Sequence, residues 1–190
     1  MKKIKEKYSI QNLVATTSLE VNVPLVKLAK TSSNAEYNPE QFPGLALRIA
    51  RPKSVVLIFS SGKLVCTGAK NMKQINETIR QVIKELKKIG VKVTVKPKLT
   101  VQNIVASGEL NIMLNLNMLS LFLENTEYEP EQFPGLVYKI TSPIATFLLF
   151  TNGRFVCTGT KNKEELQLAI DTLKKNLKRV LEEMSKSKKR

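Results

Sequence analysis

Residues 45–49, 54–59 and 63–67 are short runs of β-branched and apolar positions set off by polar and turn-forming ones, which predicts three short strands. Ser60-Ser61-Gly62, between the last two, has the composition of a hairpin turn. Ahead of them a strand is predicted near residues 10–21 and a short helix over 24–29, followed by a turn-rich stretch around Asn38-Pro39 and Phe42-Pro43-Gly44. From 72 to 89 the pattern changes to a helical one: Ile75, Ile79, Val82, Ile83 and Leu86 share a face, and Gly90 stands where a C-terminal cap belongs. Alternation sends Val55, Leu57 and Phe59 to one sheet face and Val56 and Ile58 to the other, while Val65 and Thr67 oppose Leu64 and Cys66. Both faces are therefore apolar. One long helix and one short helix cover a single face, so the other must be buried against another sheet, another chain or a ligand. An ordinary homodimer interface and a ligand surface both satisfy that requirement.

The pattern then recurs at an offset of 91 without a gap. Gln11-Asn12-Leu13-Val14-Ala15 is answered by Gln102-Asn103-Ile104-Val105-Ala106, and Val65-Cys66-Thr67-Gly68 by Val156-Cys157-Thr158-Gly159. The block from Tyr37 to Leu45 matches that from Tyr128 to Leu136 at eight of nine positions, so the chain is read as a duplicated half-domain. In the second copy Leu166, Ile170, Leu173, Leu177 and Leu181 supply the helical face. Closed packing of two such halves implies a pseudo-twofold axis. The expected division is a basic segment 1–9, a first repeat 10–96, a second repeat 97–182 and a basic tail 183–190.

Charge narrows the reading. The 190 residues hold 31 Lys and Arg against 16 Asp and Glu, a net charge of +15, which favours polyanions or acidic surfaces as partners. Much of it sits at the ends: residues 1–7 carry four Lys and one Glu, residues 174–190 eight basic and two acidic side chains. Such runs are expected to be solvated rather than specific binding elements. Within the strands, Arg48, Arg51, Lys53, Lys63 and Lys70 edge the apolar face. Apolar strands rimmed by cations suit a ligand that is apolar inside and anionic outside, as a nucleic-acid minor groove is between its phosphates.

Several chemistries lack their residues. The sequence contains no His, its single Asp is Asp171, and its two Cys stand 91 apart, so His-based triads are excluded and a metal site or disulfide framework has little support. Cys66 and Cys157 are read as small core residues of a protein from a reducing interior. A hydrolase or transferase would need a glycine-rich phosphate loop, a triad or a metal cluster, none of which is recognisable, and no cofactor is expected. The apolar runs are strand-length, and the N-terminal MKKIKEKYSIQN has no signal-peptide core, so neither a membrane partner nor export is expected.

The paired QN[LI]VA, Y-x-P-E-Q-F-P-G-L, LIFSSGK or LLFTNGR, and VCTG[AT]KN segments resemble the two direct repeats of the TATA-box-binding protein family, over essentially the whole chain. The likeness is to the archaeal form. It implies an α+β fold, a saddle-shaped antiparallel sheet of two pseudo-symmetric repeats with helices on the convex face and the minor groove on the concave one. The family is itself the standard illustration of minor-groove insertion and kinking, so that behaviour is what the likeness implies; composition alone does not supply it.

Carried over by position, the intercalating pairs are Phe42 with Phe59 and Phe133 with Phe150. Pro43 and Pro134 back the first ring of each pair and count with the groove floor, together with Asn12, Val14, Leu57, Val65 and Thr67 and their copies Asn103, Val105, Leu148, Val156 and Thr158. Short amides at Asn12 and Asn103 can bond the N3 and O2 acceptors that both A·T orientations present. Phosphate contacts fall on Arg48, Arg51, Lys53, Lys63 and Lys70. In the second half Ser142 and Ile144 replace Arg51 and Lys53, leaving Lys139, Arg154 and Lys161. The second Phe-Pro-Gly stirrup carries Glu129 and Glu131 against Asn38 and Glu40 in the first, an acidic surface that faces away from DNA and suits a basic surface of transcription factor B. The implied partners are double-stranded TATA-box DNA, transcription factor B and, through it, RNA polymerase. The implied location is the cytoplasm at the nucleoid of an archaeon, or a eukaryotic nucleus. A general architectural or RNA-binding protein with the same basic sheet is the rival, separated by its weak preference for TATA over random duplex.

Overall fold

The computed structural model describes residues 4–187 of the chain, with side chains through Glu183, so the expectations for Lys2, Lys3 and the last three residues fall outside the described residues. The elements run β1 (Glu6–Ser18), α1 (Leu25–Thr31), β2 (Ala35–Glu36), β3 (Leu45–Ile49), β4 (Ser54–Ile58), β5 (Lys63–Ala69), α2 (Met72–Lys88), β6 (Thr100–Leu110), α3 (Leu116–Phe122), β7 (Thr126–Glu127), β8 (Leu136–Thr141), β9 (Ile144–Leu149), β10 (Arg154–Thr160) and α4 (Lys163–Ser187). This α+β architecture is one antiparallel strand order, β2-β3-β4-β5-β1-β6-β10-β9-β8-β7, with four helices. The chain divides into a first unit, Gln11–Gln102, and a second, Asn103–Arg190 joined by Met1–Ile10, so β1 and β6 each contribute residues to both.

In the first unit β4 alternates buried and half-buried residues: Ser54, Val56 and Ile58 point to the core, Val55 and Leu57 to the open face. In β5 Leu64 and Cys66 are buried while Val65 and Thr67 are half-exposed. The core faces meet Ile75, Ile79, Val82 and Leu86 of α2, all but Ile79 fully enclosed. Each such aliphatic side chain contributes about 1.5–3 kcal/mol when withdrawn from water, an upper figure given the compactness of unfolded chains. Asn71 caps α2, its side chain accepting from the Gln74 N–H, and Ile89 and Gly90 close it through bonds to Leu86 and Lys87 carbonyls. The hairpin turns need glycine. Gly62 and its copy Gly153 stand at φ of +79° and +80°, with the Val21 and Ile112 carbonyls against the space a Cβ would take.

The second unit repeats this frame with different filling. Phe147 and Phe155 replace Val56 and Leu64 and pack edge to face at 5.9 Å. Room comes from Gly108, where the first copy has Thr17: a Cβ there would lie 2.6 Å from Phe155 Cζ and 2.7 Å from Tyr8 Cβ. The buried Ser54–Thr78 hydroxyl pair, 2.8 Å apart, is replaced by Ala145 and Ala169. A buried polar contact is thus kept as a satisfied pair or removed as a pair, which avoids a lone unsatisfied group.

Two expectations about the ends change. The first strand starts at Glu6, not residue 10, because Tyr8 donates its hydroxyl to Gln167 of α4 at 2.8 Å and Glu6 pairs with Lys174 at 2.8 Å. The Lys174 ammonium holds the Glu6 carboxyl below its ordinary range, and the Lys174 value is raised in turn. Much of the basic C-terminal run is helix: α4 continues to Ser187, with Leu177 and Val180 buried and Lys175, Lys178 and Arg179 on the exposed side.

Candidate nucleic-acid interface

Helices cover one sheet face in each unit, and the predicted floor residues that belong to strands lie on the other, whereas Pro43 and Pro134 stand in the loops ahead of β3 and β8. Val14, Leu57, Val65 and Thr67 are half-exposed, as are Val105, Leu148, Val156 and Thr158. Cross-strand register lines them up: Leu57 stands opposite Val65 and Val55 opposite Thr67, and in the second unit Leu148 opposite Val156 and Thr146 opposite Thr158. The same rows bring in residues that the sequence pattern did not single out. Ala46 faces Leu57 and Thr16 faces Val65, with Val137 and Ser107 in the copy. Period two signals Ala46 and Val137, but the partners of β1 and β6 depend on a register that sequence does not fix.

At the end of β5 a bulge turns Gly68 to φ +94° and breaks the register with β1 between Leu13 and Ala15. Asn12 fills the gap. Its Oδ1 accepts from the Gly68 N–H at 2.7 Å and its Nδ2 donates to Thr67 Oγ1 at 3.0 Å. Asn103 does the same with Gly159 at 2.8 Å and Thr158 at 3.0 Å. A backbone N–H can only donate, so the amide orientation is fixed. The threonine hydroxyls in turn donate to the amide oxygens, Thr67 to Asn12 Oδ1 at 3.3 Å and Thr158 to Asn103 Oδ1 at 3.2 Å, so one Nδ2 hydrogen of each amide is left for an outside acceptor.

At the stirrups, Phe42 and Phe59 pack edge to face with centroids 5.8 Å apart, and Phe133 and Phe150 at 6.0 Å. Phe42 is 43% exposed and Phe133 41%, which is unusual for so large an apolar ring. Gly44 and Gly135 lie beneath: a Cβ would approach Phe42 Cε1 to 2.7 Å and Phe133 Cε1 to 2.6 Å. Pro43 and Pro134 are exposed beside them. The rings are therefore held up by a bare backbone rather than buried by a side chain.

The predicted cations divide. Arg51, Lys53, Lys63, Arg154 and Lys161 are exposed and make no ion pair among the described residues, and Lys53 lines a groove with Val55 and Thr67. Lys70 reaches Gln11 Oε1 at 3.3 Å, and Lys161 is bound through its backbone to Glu165. Arg48 and Lys139 are instead engaged by carboxylates on the same face, Arg48 with Glu36 at 3.1 Å and Lys139 with Glu127 at 2.6 Å. Glu36 and Glu127 lie on two-residue strands too short to read from periodicity. Residues 12–82 hold nine basic and four acidic side chains, against four and eight in the equivalent 103–173. Glu129 and Glu131 are exposed in the second stirrup, where Glu129 accepts from Gln132 Nε2 at 2.9 Å.

Chemically reactive groups are subdued. Burial pushes the Cys66 thiol up to about 11 and Cys157 to about 12, which keeps both protonated and inert. Among the described residues no three potential metal ligands cluster, and no helix is long and apolar enough to cross a membrane.

Comparison with known proteins identifies a family. The family described as "Transcription factor TFIID (or TATA-binding protein, TBP)" matches residues 7–89 and again 98–180, the two repeats. A TATA-box-binding protein of Picrophilus torridus is 50% identical over 177 residues, covering 92% of this chain and 96% of the relative. That of Thermoplasma acidophilum is 48% identical over 178 residues, 93% and 97%. The solved structure of Methanococcus jannaschii TBP superposes with a TM-score of 0.86 at 43% identity, covering 91% of this chain and 99% of that one. With repeats, fold and sequence in agreement over nearly the full length, the chain belongs to the TATA-binding-protein family of transcription factors.

Proposed function

We propose that the protein binds the minor groove of TATA-box DNA through the open sheet face, kinks it by inserting the two phenylalanine pairs, and seats transcription factor B for recruitment of RNA polymerase. The observation that carries this reading is the pair of half-exposed rings in each unit, raised over Gly44 and Gly135. A ring partly inserted between base steps exchanges water for stacked bases, and the bend it permits brings more protein surface onto the groove. The floor of Val14, Leu57 and Val65, with Val105, Leu148 and Val156, is apolar and without bulk, matching a groove emptied of water. The Asn12–Thr67 and Asn103–Thr158 pairs offer donors. A·T pairs present only acceptors in the minor groove whereas G·C adds an amino donor, so these pairs favour A·T without choosing its orientation. Arg51, Lys53, Lys63, Lys70, Arg154 and Lys161 supply sequence-blind attraction, joined by Arg48 and Lys139 once they exchange carboxylate for phosphate. None of these roles is catalytic.

The test is end-to-end fluorescence transfer on a labelled TATA duplex beside binding to a scrambled one. Phe→Ala at Phe42, Phe59, Phe133 and Phe150 together is expected to abolish bending while salt-sensitive association remains. Wild-type bending in that variant would refute the insertion.

A further inference from the structure

On the open face of the first unit a groove is lined by Thr16, Phe59, Lys63, Val65 and Lys98. A groove on the second is lined by Lys7, Ser107, Arg154 and Val156. The two linings correspond at the repeat offset: Ser107, Arg154 and Val156 answer Thr16, Lys63 and Val65, and Lys98 stands 91 residues after Lys7. Lys98 precedes β6 by two residues and Lys7 is the second residue of β1, so the start of each of these two strands supplies one lysine to the groove of its own unit. Lys7, Lys63, Lys98 and Arg154 are all exposed, and none is in an ion pair with a described residue.

Two cations above an apolar floor favour an anion attached to a body that lies flat on that floor, as the sugar-phosphate strand of a duplex does. We propose that Lys98 and Lys7 are phosphate-binding residues, each adding one contact to the DNA held by the open face; this rests on the function proposed above. The two are unequal. Glu109 lines the second groove directly opposite Arg154, whereas the residue opposite Lys63 is the uncharged Ser18. Lys98 therefore meets the more positive site and makes the stronger contact.

The experiment follows the salt dependence of binding by fluorescence anisotropy on TATA and scrambled duplexes. Each phosphate contact contributes a slope of about 0.9 in log K against log salt, so Lys7→Gln with Lys98→Gln should flatten the slope by about 1.8. Lys98→Gln alone should lose more affinity than Lys7→Gln alone. Lys92→Gln with Lys96→Gln removes the same charge from exposed positions between α2 and β6, and should leave the slope at the wild-type value. An unchanged slope in the first double variant, or equal flattening in the second, would overturn the assignment. So would inorganic phosphate that binds the wild type and not the first double variant while leaving the DNA affinity of both unchanged, which would make the grooves free-phosphate sites. Equal wild-type affinity for both duplexes would refute TATA selection instead, while the lysine contacts would still be read from slopes on the scrambled duplex.

Discussion

Glu36 clamps Arg48 from the neighbouring strand, Arg48 Nε and Nη2 each donating to one carboxylate oxygen at 3.1 Å. The guanidinium holds the Glu36 carboxyl below its ordinary range, so the pair is fully ionised at neutral pH. A phosphate that recruits Arg48 must first displace Glu36, and the same holds for Glu127 with Lys139. Replacing each carboxylate, Glu36→Gln with Glu127→Gln, should raise affinity for any duplex roughly two- to fivefold and leave thermal stability almost unchanged, because exposed pairs contribute little to folding. Anisotropy titrations should show the TATA-to-scrambled ratio unaltered, since phosphate contacts carry no sequence information.

Gly44 offers a way to move the wedge without removing it. An alanine methyl would need the space of Phe42 Cε1 at 2.7 Å and Phe59 Cε1 at 3.1 Å, so the exposed ring must swing off its edge-to-face contact. Gly44→Ala with Gly135→Ala should reduce the bend angle measured by fluorescence transfer and preserve salt-sensitive binding. The stability cost should stay near ~1 kcal/mol, because the displaced ring is already half in water.

Much of the open face is legible in the sequence because period two assigns it directly: Val55 and Leu57 of β4 and Val65 and Thr67 of β5 lie where alternation sends them. What alternation misses is set at long range. Tyr8 and Glu6 read as part of a basic tail, since the Gln167 and Lys174 that fix them are about 160 residues away. Asn12 reads as a free amide, whereas its orientation follows from a bulge at Gly68 that no local pattern announces. Lys98 carries no sequence signal of its own, and its place beside Thr16, Lys63 and Val65 is set by the packing of the first unit.

The donor pairs make specificity testable by an isosteric change. Thr67→Val with Thr158→Val keeps the shape of the floor but removes both hydroxyls and deprives Asn12 and Asn103 of their acceptors. Loss of about 1 kcal/mol per hydrogen bond predicts a roughly five- to tenfold drop in TATA preference for each copy. Competition between a TATA duplex and one carrying a G·C pair at the central steps measures it. The bend should persist, because the phenylalanines are untouched.

The acidic stirrup yields the last expectation. Backbone N–H groups of Gln132 and Phe133 both close onto the Glu129 carbonyl, as those of Gln41 and Phe42 close onto Asn38, so the two loops share one frame and differ in charge. In the first loop the exposed Asn38 side chain accepts from the Glu40 N–H at 3.2 Å; in the second the exposed Glu129 carboxylate accepts from Gln132 Nε2 at 2.9 Å. Carboxylates gain nothing beside phosphate, so their place in this loop suits a basic protein partner, for which transcription factor B is proposed. Glu129→Arg with Glu131→Arg should abolish the ternary complex with transcription factor B in a gel shift while binary TATA binding persists or strengthens. A normal ternary complex would move the partner surface elsewhere. Loss of binary binding would instead place these side chains against the DNA.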